Sequence, residues 1–255
     1  MTNNRILSGM PNAFPQFTPK ARIDVKQPVT TVDEKIKKAG SNGVLIHVVL
    51  DESSSMGGVT QQTIDSFNSW LKEQKQNDGS CLLTLSKFDG ARVNYVHVNK
   101  DINTVEPLTT QTYRPSGSTN LLDAIGDNIV RANSYIGSKK KADRPGVIVV
   151  ILTDGEENTS NRYNKSSIKA LVEKAEGKDW TFLFMGANID AFSEGSAMGF
   201  SSSNTVQYNT SNMAGSMSAL SSITTRTRTA YAKGFAGDEL RATASYTQAE
   251  RDQSL

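Results

Sequence analysis

Cysteine and histidine, residues that bind soft metals and serve as general bases, are scarce in this chain of 255 residues. The one cysteine, Cys81, excludes an intrachain disulfide, and because it lies in an apolar run it is interpreted as a small core residue. The two histidines, His47 and His97, both fall in predicted strands and lie far apart in the pattern. We therefore expect neither a disulfide framework nor a site built on histidine.

Long apolar runs and an excess of one charge are absent as well. No apolar stretch approaches the roughly 18 residues that a membrane-spanning helix needs, and the first residues contain no hydrophobic signal core. The 28 basic and 26 acidic residues leave a formal net charge of +2, which does not favour binding to nucleic acid. We expect a cytoplasmic protein without a membrane segment.

Short apolar runs alternate with amphipathic segments along the chain, which is typical of an α/β fold. Strands are predicted at 44–50, 80–88, 93–98, 147–152, 180–185 and 205–208, and helices at 59–76, 120–136, 166–176, 190–198 and 210–235. Asp89-Gly90 is a two-residue hairpin signal, so the third strand is predicted to be an antiparallel edge strand. The pattern predicts a doubly wound, mostly parallel sheet with helices on both faces.

The two ends of the chain differ in composition from its middle. Residues 1–42 contain closely spaced prolines and no helical or strand period, which predicts an extended N-terminal arm. Residues 236–255 have few apolar side chains and are predicted to form a polar C-terminal tail. The globular domain is therefore predicted at residues 43–235.

The first predicted strand ends on a carboxylate and two hydroxyls, Asp51, Ser53 and Ser55. Because ligands of open α/β sheets bind beyond the carboxyl ends of the strands, these side chains lie where a site is expected. All three are hard oxygen donors, which suit Mg²⁺ or Mn²⁺ rather than zinc. Thr119, before the second helix, and Asp154, after the fourth strand, are predicted to reach the same edge of the sheet.

Three loops that follow one another in a set order carry a family resemblance. They are Asp51-x-Ser53-x-Ser55, the run from Ser116 to Ala124 around Thr119, and the run from Ile151 to Gly155 around Asp154. In order and spacing they resemble the metal-ion-dependent adhesion site (MIDAS) of the von Willebrand factor type A domain. Residues 186–191 and 199–208 also resemble small stand-alone members of that family in bacteria and phages. The resemblance covers residues 43–235.

The resemblance implies a role for each side chain. Ser53, Ser55 and Thr119 would bind the ion directly through their hydroxyls, while Asp51 and Asp154 would act mostly through bound water. Three neutral hydroxyls leave the charge of the ion uncompensated, so a carboxylate of a partner protein would complete its shell. The implied function is a metal-ion-dependent module that captures an acidic residue of a protein partner, with Mg²⁺ or Mn²⁺ as its cofactor.

Plainer interpretations of the same residues remain open. Ser53 and Ser55 are favoured helix N-caps, Thr119 is another, and Asp154 is also a common turn residue. A retained motif whose ion serves folding alone is a further alternative. Four more polar residues are predicted to surround the ligands, with a solvated surface or a helix cap as the alternative for each: Glu52, Glu156, Asn188 and Asp190.

Other functional classes compete with partner capture. The main alternative is a structural component of a larger assembly, such as a phage particle or secretion machine, which would make the protein virion-associated in the first case. An enzyme is not expected, because the three loops contain no histidine, lysine or cysteine as a general base. Nucleic-acid binding through the arm and the loop Lys139–Lys141 is disfavoured by the near-neutral charge.

Overall fold

The computed structural model of the chain describes residues 43–255, so the extended arm predicted at residues 1–42 lies outside the described residues. Within the described range the chain forms a six-stranded mixed sheet flanked by α-helices. This architecture confirms the predicted α/β class, including the mostly parallel sheet and its antiparallel edge strand.

The strands form from short runs rich in β-branched and aromatic residues, which suit a pleated and buried surface. They are β1 (Val44–Asp51), β2 (Cys81–Phe88), β3 (Val93–Asp101), β4 (Gly146–Thr153), β5 (Thr181–Gly186) and β6 (Thr205–Gln207). Their order across the sheet is β3-β2-β1-β4-β5-β6, and every neighbouring pair is parallel except β2 with β3. Asp89-Gly90 lies in the turn between these two strands, which confirms the hairpin, but the turn spans residues 89–92 and is longer than the two-residue turn predicted.

The amphipathic segments between the strands form the helices. They are α1 (Thr60–Gln76), α2 (Leu121–Gly137), α3 (Lys165–Glu176), α4 (Ala191–Ala197), α5 (Met213–Ala232), α6 (Gly237–Thr243) and α7 (Gln248–Ser254). A short 3-10 turn, Ser54–Val59, precedes α1 and contains Ser55 of the predicted site. Among the described residues, no helix combines the length and the apolar character needed to cross a membrane.

The sheet is covered on both faces because alternate residues of its strands point in opposite directions. On one face, Ile46, Val48 and Leu50 of β1 join a core cluster with apolar side chains of α1 and α5. On the other face, His47 Nδ1 lies 3.0 Å from Asn128 Oδ1 of α2. Burial on both sides explains why the central strands are nearly continuous apolar runs, interrupted in β1 by His47.

The crevice that ligands use in such folds lies between β1 and β4. The chain leaves β1 toward β2 on one side and leaves β4 toward β5 on the other, so the two connections diverge. The register pairs Leu50 with Leu152, and Asp51 therefore comes to lie next to Thr153. This divergence is the topological switch point at which open α/β sheets bind their ligands.

Residues 236–255 differ from the predicted polar tail, because α6 and α7 pack on the domain. Two apolar side chains of this segment are buried: Leu240 and Tyr246 are 2% and 6% exposed and belong to the core cluster. Arg226 of α5 forms an ion pair with Glu250 of α7, whose first turn is capped by Thr247. The folded part of the chain therefore extends past residue 235.

Replacing Leu240 by alanine is expected to destabilise the domain by about 2–5 kcal/mol, because the change removes a buried side chain and leaves a cavity. Leu255→Ala is the matched control, since Leu255 is 65% exposed. That control should change the free energy of unfolding by less than about 0.5 kcal/mol. Chemical denaturation measures both variants, and equal stabilities would show that α6 lies outside the cooperative unit.

Candidate metal centre

Asp51, the last residue of β1, forms the floor of the site. It is fully buried, and its carboxylate accepts hydrogen bonds from the Ser53 N–H (2.8 Å) and the Thr153 hydroxyl (2.6 Å). The Tyr113 hydroxyl donates to the Asp51 carbonyl oxygen (2.6 Å). The protein alone therefore fixes this carboxylate between the ends of β1 and β4.

A row of oxygen atoms leads from this floor across the crevice. The hydroxyl oxygens of Ser53 and Ser55 lie 2.9 Å apart, and the Ser55 hydroxyl donates to the Asp154 carboxylate at 2.6 Å. Asp154 directly follows β4, whereas both serines follow β1. The structure therefore brings together residues that are about a hundred positions apart in the sequence.

Thr119 joins this row from the loop before α2. A Cβ atom placed on Gly155 would lie 3.4 Å from Ser55 Oγ and 3.5 Å from Thr119 Oγ1. The hydroxyls of Ser55 and Thr119 therefore both lie close to Gly155, on the side where a Cβ atom would stand. All five predicted ligand residues meet at one edge of the sheet.

The helix-capping alternative does not describe the hydroxyls in this structure. Ser53 occupies the N-cap position of the 3-10 turn, yet its side chain makes no capping hydrogen bond. The N-cap of α2 is Asn120 rather than Thr119, and Asn120 makes no side-chain capping bond either. The hydroxyls of Ser53 and Ser55 are directed at each other and at Asp154, which is an arrangement that suits a shared ligand.

The spacing of these oxygens fits a small divalent cation. Oxygens arranged octahedrally about 2.0–2.1 Å from Mg²⁺ have nearest neighbours roughly 3 Å apart. The separation of 2.9 Å between the hydroxyl oxygens of the direct ligands Ser53 and Ser55 is of that size. Within residues 43–255 no group of three or more His, Cys, Asp or Glu side chains is placed to hold a metal. The fit therefore depends on the hydroxyls.

Burial makes the two carboxylates reluctant to ionise without a cation. Burial raises the pKa of Asp51 to about 6, although hydrogen bonds from Thr153 and Ser53 act in the opposite direction and the charge of Asp154 adds to the rise. Burial also raises the pKa of Asp154, against the lowering effect of the Ser55 hydroxyl. A cation in the crevice would stabilise both ionised groups.

Within residues 43–255 the structure gives the side chains of the four predicted surrounding residues no hydrogen bond to the five ligand residues. Glu52 is buried, and its carboxylate forms an ion pair with Lys87 at 2.5 Å. Asp190 caps α4 by accepting from the Ser193 N–H (3.0 Å), which is its alternative interpretation. The remaining two side chains are exposed, and no hydrogen bond among residues 43–255 ties them to the five ligands: Glu156 and Asn188.

Three residues support the centre without having been predicted to do so. Thr153 and Tyr113 hold Asp51 through the bonds described above. Asn158 holds Thr119, whose N–H donates to the Asn158 side-chain oxygen at 2.9 Å. Thr153 is the one with a local signal, because it directly precedes Asp154 at the end of a strand. Tyr113 lies in a long connection without any periodic pattern.

The stability of the metal-free protein should depend on pH through Asp51. Because the folded-state pKa is raised from 3.8 to about 6, this carboxyl stabilises the fold fully below pH 3.8 and loses that contribution as pH rises through about 6. Asp51→Asn lacks the titration, so its stability relative to wild type should increase by roughly 1 kcal/mol between about pH 5 and about pH 7.5. Chemical denaturation of both proteins at the two pH values, in buffer that contains EDTA to remove metal ions, measures this. A difference in the free energy of unfolding that is the same at both pH values would contradict the raised pKa.

Comparison with known proteins finds the fold but no close sequence. No family profile matches the chain, and no curated protein matches it. Two structures of proximal thread matrix protein 1 (PTMP1) from the mussel byssus align over 74% of this chain, at 15% and 16% identity and TM-scores of 0.50 and 0.51. The second of these structures has a zinc-occupied MIDAS motif. This chain spans about half the length of PTMP1, since the match covers 47% of that chain.

A von Willebrand factor type A protein from Catenulispora acidiphila also aligns, at 10% identity over 73% of this chain and 43% of that chain. Its TM-score of 0.49 is too low to support an argument. At 15% and 16% identity, the PTMP1 alignments indicate a shared fold and nothing further. The chain therefore has a fold of the von Willebrand factor type A kind, which it shares with PTMP1.

Proposed function

We propose that this domain is a metal-ion-dependent protein-binding module. In this proposal Ser53, Ser55 and Thr119 bind Mg²⁺ or Mn²⁺, and the site captures an acidic residue of a partner protein. The observation that supports it most is the row of oxygens from Ser53 through Ser55 to Asp154 across the switch-point crevice. The zinc-occupied MIDAS motif of PTMP1, a protein of the same fold, is further support.

The burial of the five residues supports a division of roles. Asp51, Ser53, Thr119 and Asp154 are buried, whereas Ser55 is exposed. The site is therefore open to solvent at Ser55, and the buried carboxylates of Asp51 and Asp154 lie on its protein side. Asp51 and Asp154 supply negative charge through hydrogen-bonded hydroxyls and bound water, and they keep the direct ligands in place. When bound, the ion supplies an electrophilic position that accepts a carboxylate oxygen.

The chemistry of the donors favours Mg²⁺ or Mn²⁺ as the ion used in the cell. All five side chains offer oxygen atoms, which hard cations prefer, whereas protein zinc sites rely mainly on cysteine and histidine. The direct ligands Ser53, Ser55 and Thr119 are neutral, so they do not offset the double charge of the ion. A partner carboxylate would add that missing charge at the open side, next to Ser55.

Thr119→Ala is expected to lower the affinity for Mg²⁺ by about tenfold or more, because the loss of a direct ligand should cost at least as much as the loss of an outer hydrogen-bond partner of a ligand. Ser54→Ala is the matched control: it removes an exposed hydroxyl from the loop that carries Ser53 and Ser55. Calorimetric titration should give wild-type affinity for this control. Mg²⁺ binding that is insensitive to Thr119→Ala would contradict the proposed centre.

Partner capture is tested with the same two variants. Lysate of the source cells is passed over the immobilised domain in Mg²⁺ or in EDTA, and retained proteins are read by mass spectrometry. We expect retention by wild type and Ser54→Ala in Mg²⁺, and its loss in EDTA or with Thr119→Ala. Mg²⁺ binding without Mg²⁺-dependent retention would contradict capture and leave the ion a folding role. Retention that survives both treatments would instead support a structural part in an assembly.

A further inference from the structure

The loop that follows Asp154 is fastened to the first turn of α2. The Glu157 carboxylate accepts from the Leu122 N–H (2.8 Å) and from the N–H and hydroxyl of Ser160 (2.6 and 2.7 Å). The Ser160 hydroxyl in turn accepts from the Asp123 N–H (3.0 Å). Two N–H groups that a helix leaves without intrahelical partners are thereby bound by a neighbouring loop.

Glu157 takes the place of a cap that the chain before α2 does not provide. The N-cap residue, Asn120, makes no side-chain capping bond. Glu157 instead reaches the helix from the adjacent loop, and its negative charge lies at the positive end of a 17-residue helix. Glu157 therefore attaches the start of this loop to the first turn of α2.

The same side chain orders the segment that holds Thr119. The Thr119 carbonyl oxygen accepts from the N–H groups of Asn158 (3.1 Å) and Thr159 (3.2 Å). The Glu157 carboxylate also accepts a hydrogen bond from the Thr159 N–H (2.8 Å), so it positions the backbone that donates to the Thr119 carbonyl oxygen. Glu157 thus connects two metal-centre residues from different loops, Thr119 and Asp154.

The far end of the loop is tethered to α2 as well. The Asp123 carboxylate accepts from the N–H groups of Arg162 and Tyr163, each at 3.0 Å. The Arg162 guanidinium forms an ion pair with Asp127 at 2.7 Å. With both ends attached, the loop leaves Thr119 little freedom to move relative to Asp154.

We infer that Glu157 is a positioning residue that makes the metal centre selective for Mg²⁺ over Ca²⁺. The inference rests on the proposed metal-binding function. Mg²⁺ requires near-ideal octahedral geometry with oxygens about 2.0–2.1 Å away, whereas Ca²⁺ accepts more ligands at about 2.3–2.6 Å in flexible arrangements. The Thr119 backbone, held by hydrogen bonds with Asn158 and Thr159, leaves its hydroxyl little room to adjust to the larger ion. Loosening the loop costs Mg²⁺ more affinity than it costs Ca²⁺.

The test compares calorimetric titrations of Mg²⁺ and Ca²⁺ into wild type, Glu157→Ala and Glu157→Gln. We expect Glu157→Ala to lower the Mg²⁺ affinity by about tenfold, as the loss of outer hydrogen bonds to metal ligands usually does. Its Ca²⁺ affinity should fall less, so that the ratio of the two affinities drops at least about threefold. Glu157→Gln keeps the length of the side chain but loses an acceptor oxygen, and its ratio should fall between wild type and Glu157→Ala.

Two controls separate positioning from other effects. Glu156→Gln removes a negative charge from the exposed neighbouring position, and it should change both affinities by the same factor. Asn161→Ala removes an exposed amide from the same loop and should leave the ratio at the wild-type value. Thermal melting shows which variants fold. If Glu157→Ala does not fold, the ratio of the two affinities in Glu157→Gln tests the positioning role.

The outcomes distinguish this inference from the proposal on which it rests. A wild-type protein that binds neither ion contradicts the proposed function. A wild-type protein that binds Mg²⁺, together with an unchanged ratio in the Glu157 variants, overturns the positioning role. An equal loss for both ions in Glu157→Gln, matching that in Glu156→Gln, also overturns it, because charge alone would then explain the effect.

Discussion

The parallel pairing of β1 with β4 is the constraint on which the rest of the site depends. It ends both strands at the same level, so that the Thr153 hydroxyl reaches the Asp51 carboxylate at 2.6 Å. Because the two strands connect to opposite sides of the sheet, their following loops separate and leave a crevice. The loop that carries Ser53 and Ser55 enters this crevice from one side, and Asp154 enters from the other. The location of the centre thus follows from connectivity, before any side chain is considered.

The side chains then give the crevice its electrostatic character. Asp51 and Asp154 are buried, and burial raises the pKa of each. Such groups destabilise a fold in their ionised form unless a cation or hydrogen-bond donors compensate them. The Ser53 N–H and the hydroxyls of Ser55 and Thr153 supply part of that compensation. Because this compensation is incomplete, a divalent cation bound at the site would stabilise both carboxylates. Because the direct ligands are neutral, the bound cation would in turn attract a carboxylate from a partner protein.

Much of the fold and the five central residues could be predicted from the sequence, because both rest on local patterns. Apolar runs locate strands, and polar residues directly after a strand must lie at the sheet edge. Interactions between distant segments have no such signal. Glu52, like Asp51, is an acidic residue at the end of the first strand, yet its partner is Lys87 of β2. The cap that Glu157 provides to α2 depends on two loops meeting in space. The segment around Leu240 and Tyr246 has few apolar residues, but a core already in place can bury them.

The central claim is that Ser53, Ser55 and Thr119 bind one divalent ion between β1 and β4. The most direct measurement is anomalous diffraction at the manganese edge from crystals grown with Mn²⁺. We predict an anomalous peak within bonding distance of the three hydroxyl oxygens, next to the carboxylates of Asp51 and Asp154. A peak elsewhere in the domain, or none at this position when Mn²⁺ is in large excess, would contradict the claim.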